Sequence, residues 1–270
     1  MSVESYAIRG GSAGRERLRI LSRVLRPQTL DLLERAGLQE SMMCLDMGCG
    51  GGDVTFEMAA IVGQKGLVVG LDFDDEKLGL AREEAKSRDL TNIEFRNADA
   101  MAIASALATF NFVFARQLLC HVANPSHVLN QMIAYASPGG VIAVEDIDFS
   151  GYFCHPPCPE LHEYMDLVRR TMRARGGNAD IGPELPGLLM NVGLQKVEMQ
   201  VAQPAATNGE VKLIQPITMD SVTEAVVADG LGDEADVKRI TDALLAYAED
   251  PNTVMSVPRF IQAWGRKPVS

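Results

Sequence analysis

A chain of 270 residues with 47% apolar side chains is long enough to bury one substantial core and to carry an elaboration on it. Its formal net charge of −11 weighs against nucleic acid as a bulk partner, because backbone binding needs clustered Lys and Arg. No run reaches the roughly 20 apolar residues that span a bilayer, no apolar leader core opens the chain, and five scattered cysteines fit reduced thiols. The expectation is therefore a cytoplasmic protein with no membrane partner.

Two helical patterns come first, 14–25 and 27–36, with Pro27 at the first turn of the second, where its fixed φ suits. Arg15, Arg17, Arg19, Arg23 and Arg26 spread around the first and read as a solvated face. From Met42 onward short apolar runs alternate with helical patterns, the signature of parallel strands in an α/β sheet. "MMCLDMG" reads as strand one, and "DVTFEMAAIVG" as the helix after it. "GLVVGLD" is strand two, followed by a polar helix with Asp74 as N-cap. "NIEFRN" and "FNFVFAR" are strands three and four; a helix over 126–136 leads through "SPGG" into "VIAVEDI", strand five. Beyond it come a Pro-rich loop, "GYFCHPPCPE", a helix over 161–175 and a short helix ending at Gly193. Two strand-like runs, 195–203 and 259–267, enclose helical patterns at 220–228 and 233–248.

Glycine-rich strand–helix turns hold two kinds of cofactor. A dinucleotide loop wants G-x-G-x-x-G; here Gly48 and Gly50 fit, but Asp53 stands at the third position. An acid at a helix N-terminus repels a pyrophosphate. Asp46 at the strand end, followed by Gly48, Gly50 and Gly52, suits instead a ligand with a cationic amine that backbone can approach closely.

"DMGCGGG" after strand one resembles the first motif of the class I S-adenosylmethionine-dependent methyltransferases. Asp72, ending strand two with Phe73 after it, matches the acid that holds both ribose hydroxyls in that family. Asp99 and Ala100 in "RNADAM" match the residues at the adenine. "FVFARQLLCHVANP", with Arg116, Gln117 and His121, resembles the segment that lines the cofactor, and the final strand pair matches the reversed last strand. The resemblance covers about 6–267. It implies S-adenosyl-L-methionine as cofactor, S-adenosyl-L-homocysteine as product, and binding by Tyr6, Asp46, Gly48, Cys49, Gly50, Asp72, Phe73, Asp99, Ala100, Arg116, Gln117 and His121. Short N-terminal segments fold over the cofactor in similar enzymes, which puts Tyr6 in a lid.

Methyl transfer by in-line displacement needs orientation and desolvation more than a strong base. The acid–base candidates are His121 after strand four, Glu145 in "VEDID" with Asp146 and Asp148, and Tyr152 and His155 in the following loop. Each has a plain structural alternative, as a packing, capping or loop residue. Cys154 and Cys158 flank His155, but the spacing suits no structural zinc site, and no metal is expected. Val211, Leu213, Ile214, Ile217 and Met219 form an apolar cluster that either lines an acceptor pocket or packs a helix.

The expected fold is an α/β, Rossmann-like, doubly wound seven-stranded sheet with a reversed last strand. Segment 1–40 is an N-terminal helical lid, 41–203 the cofactor-binding core, 204–258 a helical cap and 259–270 the final strand. The expected activity is methylation of a small apolar or aromatic metabolite, in the manner of bacterial quinone and natural-product methyltransferases; a homodimer is compatible with it. Two other readings stay open: a non-catalytic protein that binds the same cofactor, and an NAD(P)-dependent oxidoreductase on a similar sheet.

Overall fold

Along the first strand, β1 (Met43–Met47), successive side chains enter different cores: Cys44 packs on one face of the sheet and Leu45 on the other. Both faces of a strand are buried only where helices cover both sides of a sheet. The computed structural model describes residues 11–102 and 109–269.

One long helix, α1 (Gly11–Ala36), precedes β1 and runs through Pro27. This corrects the expectation of two helices. Proline removes one helical hydrogen bond, but Leu21 and Leu25 before it and Leu32, Leu33 and Ala36 after it are all buried, so packing on both sides keeps the axis continuous. After β1 follow α2 (Asp53–Val62), β2 (Leu67–Asp72), α3 (Asp75–Ser87), β3 (Ile93–Asn97), β4 (Phe110–Arg116), α4 (Pro125–Tyr135) and β5 (Ala136–Asp148). Asp74 caps α3 as expected, its carboxylate accepting from the Lys77 amide. The "SPGG" segment belongs to β5, whose pairing with β4 is irregular between Phe110 and Phe112.

The second half holds β6 (Cys154–His155), α5 (Pro159–Ala174), α6 (Leu185–Asn191), β7 (Gln195–Ala202), β8 (Ala205–Ala206), α7 (Glu210–Ser221), α8 (Thr223–Ala228), α9 (Glu234–Glu249), β9 (Val254–Ser256) and β10 (Arg259–Arg266). The large sheet has the order β3-β2-β1-β4-β5-β10-β7, with β10 antiparallel to both neighbours. This is the expected seven-stranded sheet with a reversed last strand. The α7 helix was legible only as an apolar cluster, because Pro216 lies inside it. A second sheet, β6-β9-β8, is an addition: the Pro-rich loop after β5 pairs two residues with the strand before β10.

Candidate functional site

The order of the parallel strands reverses between β1 and β4, and open α/β sheets bind ligands at such a point, outside the strands' carboxyl ends. A cleft of about 980 Å³, open solvent included, lies there, at the upper end of small-molecule sites, roughly 300–1,000 Å³. Its floor is the turn from β1 to α2. Gly48 and Cys49 donate their amides to the Leu71 carbonyl at 2.7 and 2.9 Å, which ties the turn to β2. Gly48 has φ +75°, and a Cβ there would sit 3.1 Å from the Leu118 side chain, so the backbone must be bare at this point.

Asp46, Asp53, Asp72 and Asp99 line the cleft. Asp72 accepts the Gly50 amide on Oδ2 at 2.8 Å and the Asp74 amide on Oδ1 at 2.9 Å, which leaves each oxygen a second lone pair. Asp46 is 2% exposed and accepts the Thr55 hydroxyl at 2.6 Å. Burial pushes its carboxyl up to about 6 against that hydrogen bond and the nearby Arg116 charge. Phe73, Ala98, Asp99, Ala100 and Met101 complete the wall beside β2 and β3. Asp99 accepts the Met101 amide at 2.9 Å. The half-buried Cys49 thiol, raised well above its ordinary value by desolvation, is un-ionised at neutral pH.

The opposite wall is Arg116, Gln117, Leu118, His121 and Val122. Gln117 has φ +51°, a left-handed backbone uncommon in a residue with a Cβ, held by its amide bond to the Glu145 carbonyl at 2.8 Å. His121 ends a short 3-10 turn. Burial, with the Arg17 and Lys77 charges nearby, pushes its imidazole down to about 3, so it is neutral at physiological pH.

Gln117 and His121 also line a second cavity, of about 450 Å³ with open solvent included. Its wall is mostly apolar and aromatic, with Phe149, Tyr164 and Phe260 prominent, and Arg17 and Thr218 supply polar atoms. Of the apolar cluster seen in the sequence, Ile214 reaches this wall; Met219 is buried in the core.

Other candidates lie elsewhere. Glu145 is fully buried away from the cleft lining, accepting from Thr29 Oγ1 and Gln262 Nε2, each at 2.8 Å. Asp146 accepts the Cys120 and Ile147 amides, and Asp148 pairs with Arg259 at 2.7 Å. Tyr152 bonds His162, and His155 is exposed on β6; neither lines either cavity. Tyr6 lies outside the described residues.

The arginines of α1 correct the sequence reading most. Arg15 is 4% exposed and bridges Asp53 at 2.7 Å and Glu84 at 2.8 Å. Asp53 is thus neutralised, so its charge no longer argues against a pyrophosphate. Crowding does: a Cβ on Gly51 would fall 1.8 Å from Arg15 Nη1, so this side chain lies directly on the turn at the start of α2. Arg17 is also buried, as is Leu21; with Leu18 in the first cleft, α1 contributes to both cavities. The partners of Arg15 lie on α2 and α3, far away in sequence, so no local spacing could have revealed it.

A family model described as a methyltransferase domain matches residues 38–190, more than half of the chain. A demethylmenaquinone methyltransferase from Shouchella clausii is 35% identical over 112 residues, which cover 42% of this chain and 48% of the relative. The chain spans about half the length of the curated relatives it matches. A crystal structure of a candidate methyltransferase from Bacillus halodurans superposes with a TM-score of 0.61 at 17% identity, covering 88% of this chain and 98% of that one. A Haemonchus contortus phosphoethanolamine N-methyltransferase bound to S-adenosylhomocysteine has a TM-score of 0.57 at 15% identity, covering 92% of this chain and 56% of that one. The sheet order, the glycine turn between its two acids and the match over 38–190 together place this chain in the methyltransferase-domain family, among the class I S-adenosylmethionine-dependent methyltransferases.

Proposed function

We propose that the protein transfers a methyl group from S-adenosylmethionine to a small aromatic acceptor of the quinol type. One observation carries the reading: Gln117 and His121 belong to the walls of both the glycine-turn cleft and the apolar cavity, so a donor in one and an acceptor in the other meet there.

The residues of the cleft fit the donor. Asp72 offers free lone pairs to two ribose hydroxyls, Asp46 an anionic partner to the amino group, and Asp99 with Ala100 a polar edge to adenine. When bound, S-adenosylmethionine supplies an electrophilic methyl on a sulfonium. What the chain does is hold two reactants in line and exclude water, which can account for much of such an acceleration. Leu18 and Leu21 of α1 close over the cleft and the cavity, and we read segment 1–40 as lid, 41–203 as core and 204–258 as cap. The apolar wall and the name of the Shouchella relative support this acceptor class. Neutral His121 positions the acceptor rather than donating a proton.

The test is turnover of methyl-labelled S-adenosylmethionine with a panel of reduced naphthoquinones and hydroxylated arenes. Gain of one methyl by mass spectrometry, lost in Gln117→Ala, is expected. Tight cofactor binding with no methylated product across the panel would favour a non-catalytic binding protein.

A further inference from the structure

Arg15, Arg19, Arg23, Arg26 and Arg35 of α1 each hold an ion pair, with partners among Asp53, Glu84, Glu210, Glu57 and Asp31. Arg17 holds none among the described residues, although it is only 6% exposed. Its hydrogen bond runs from Nε to Thr218 Oγ1 at 3.2 Å, and Arg17 is part of the lining of the second cavity. A guanidinium cannot escape burial by losing its proton, and a buried charge is retained only where something pairs with it. The fork presents five N–H donors, of which Thr218 takes one.

Among the described residues, nothing else on that wall supplies the missing charge. The polar residues facing Arg17 there are Gln117, His121, Tyr164 and Thr218. His121 is neutral, and burial pushes the Tyr164 hydroxyl up to about 12, so it too stays neutral. The remainder of the lining is apolar, which strengthens any charge–charge contact made inside it.

We propose that the acceptor binds as an anion, with a negatively charged oxygen on Arg17 and a flat apolar body against Phe149, Tyr164 and Phe260. This rests on the methyl-transfer reading of the site. The shared chemistry is an oxyanion on an aromatic frame, from an ionised ring hydroxyl or from a carboxylate. An acceptor that binds already ionised, its proton left to solvent and its oxyanion held by Arg17, needs no general base, which fits a wall whose histidine is a poor one. The arginine thereby selects among apolar molecules that would otherwise fill the cavity equally well.

The test uses the full chain saturated with S-adenosylhomocysteine at pH 8 and three probes of similar size. These are 4-nitro-1-naphthol, ionised and coloured at this pH, neutral 1-nitronaphthalene, and 2-naphthoate. Calorimetry should show the naphtholate binding at least about tenfold more tightly than the neutral arene, as one charge-assisted bond warrants. Arg17→Met should abolish that preference while keeping the neutral arene. The absorbance of the bound naphtholate should persist to lower pH than that of the free one. Preference for 2-naphthoate over the naphtholate would assign the oxyanion to a carboxylate. Equal binding of charged and neutral probes, or a preference that survives in Arg17→Met, overturns the proposal. If that variant does not fold, the wild-type titration decides, and a naphtholate that titrates no lower when bound overturns it. S-adenosylhomocysteine binding, read in the same experiment, separates this failure from failure of the methyltransferase reading.

Discussion

Gly50 donates its backbone amide to Asp72 Oδ2 at 2.8 Å, so the glycine turn after β1 and the acid that ends β2 form one unit. Its second oxygen takes the Asp74 amide ahead of α3. Asp72→Asn turns one acceptor into a donor that must face an amide N–H. Thermal denaturation without ligand should show a loss of about 1–3 kcal/mol, the cost of an unsatisfied buried group. Unchanged stability would mean that the turn holds its shape without the carboxylate.

Asp46 supplies a pH dependence with two opposite slopes. Its carboxyl is raised to about 6 in the fold, against an ordinary value of 3.8. The folded state therefore holds that proton more tightly than the unfolded chain, and the associated stabilisation is fully present below 3.8 and lost as pH rises through about 6. Cofactor affinity should run the other way, weakening by about tenfold per pH unit below 6 as the anionic partner of the amine is neutralised. Calorimetry at stepped pH, with Asp46→Asn as control, checks both slopes; Asp146, also raised to about 6, makes the variant comparison necessary. A wild-type affinity that stays flat from pH 7.5 to 5 would remove Asp46 from cofactor binding.

Arg15 and Arg26 lie about three turns apart along one face of α1 and are unequal in worth. Arg15 is 4% exposed between Asp53 and Glu84, whereas Arg26 is 55% exposed on Glu57. Arg15→Met removes the ion pair of Asp53 and one of the three arginines on Glu84, which keeps Arg19 and Arg88, and should cost about 3 kcal/mol, with little dependence on salt. Arg26→Met should cost far less than Arg15→Met, and less still at high salt. Chemical denaturation of the two variants at low and high ionic strength tests this; equal losses would mean that α1 is not fastened at Arg15.

Glu145 is a structural link between α1 and β10 through Thr29 and Gln262. Burial raises its carboxyl above the ordinary range, which suits a held position more than proton traffic with the cleft. Glu145→Gln preserves the shape and most of the bonds and should leave turnover nearly unchanged. Glu145→Ala should lose about 1–3 kcal/mol of stability. Loss of turnover in a fully stable Glu145→Gln would give the carboxylate a chemical role.

Features confined to short segments were legible in the sequence. Strand-end acids at Asp46 and Asp72 and the glycines between β1 and α2 announce themselves, because the turn geometry admits few other residue types. Two strand-like runs enclosing helices marked β7 and β10, while the reversal of β10 was implied only by the family resemblance. What stayed hidden depends on contacts across the fold. Arg17 meets Thr218 some two hundred residues away, and α7, which carries Thr218, was masked by Pro216. Tyr152 and His155 follow the sheet's binding edge in sequence, but β6 pairs with β9 and takes them away from the cleft, a pairing two residues long that leaves no periodicity to detect.

The central claim is that the glycine turn and Asp72 hold S-adenosylmethionine. Calorimetric titration of the purified protein with S-adenosylhomocysteine, beside an Asp72→Ala variant that remains folded, tests it most directly. Micromolar binding by the wild type, weakened by about a hundredfold or more in the variant as two lost charge-assisted bonds require, is the predicted result. A wild-type protein that does not bind S-adenosylhomocysteine, or a folded variant that binds it equally well, would contradict the account.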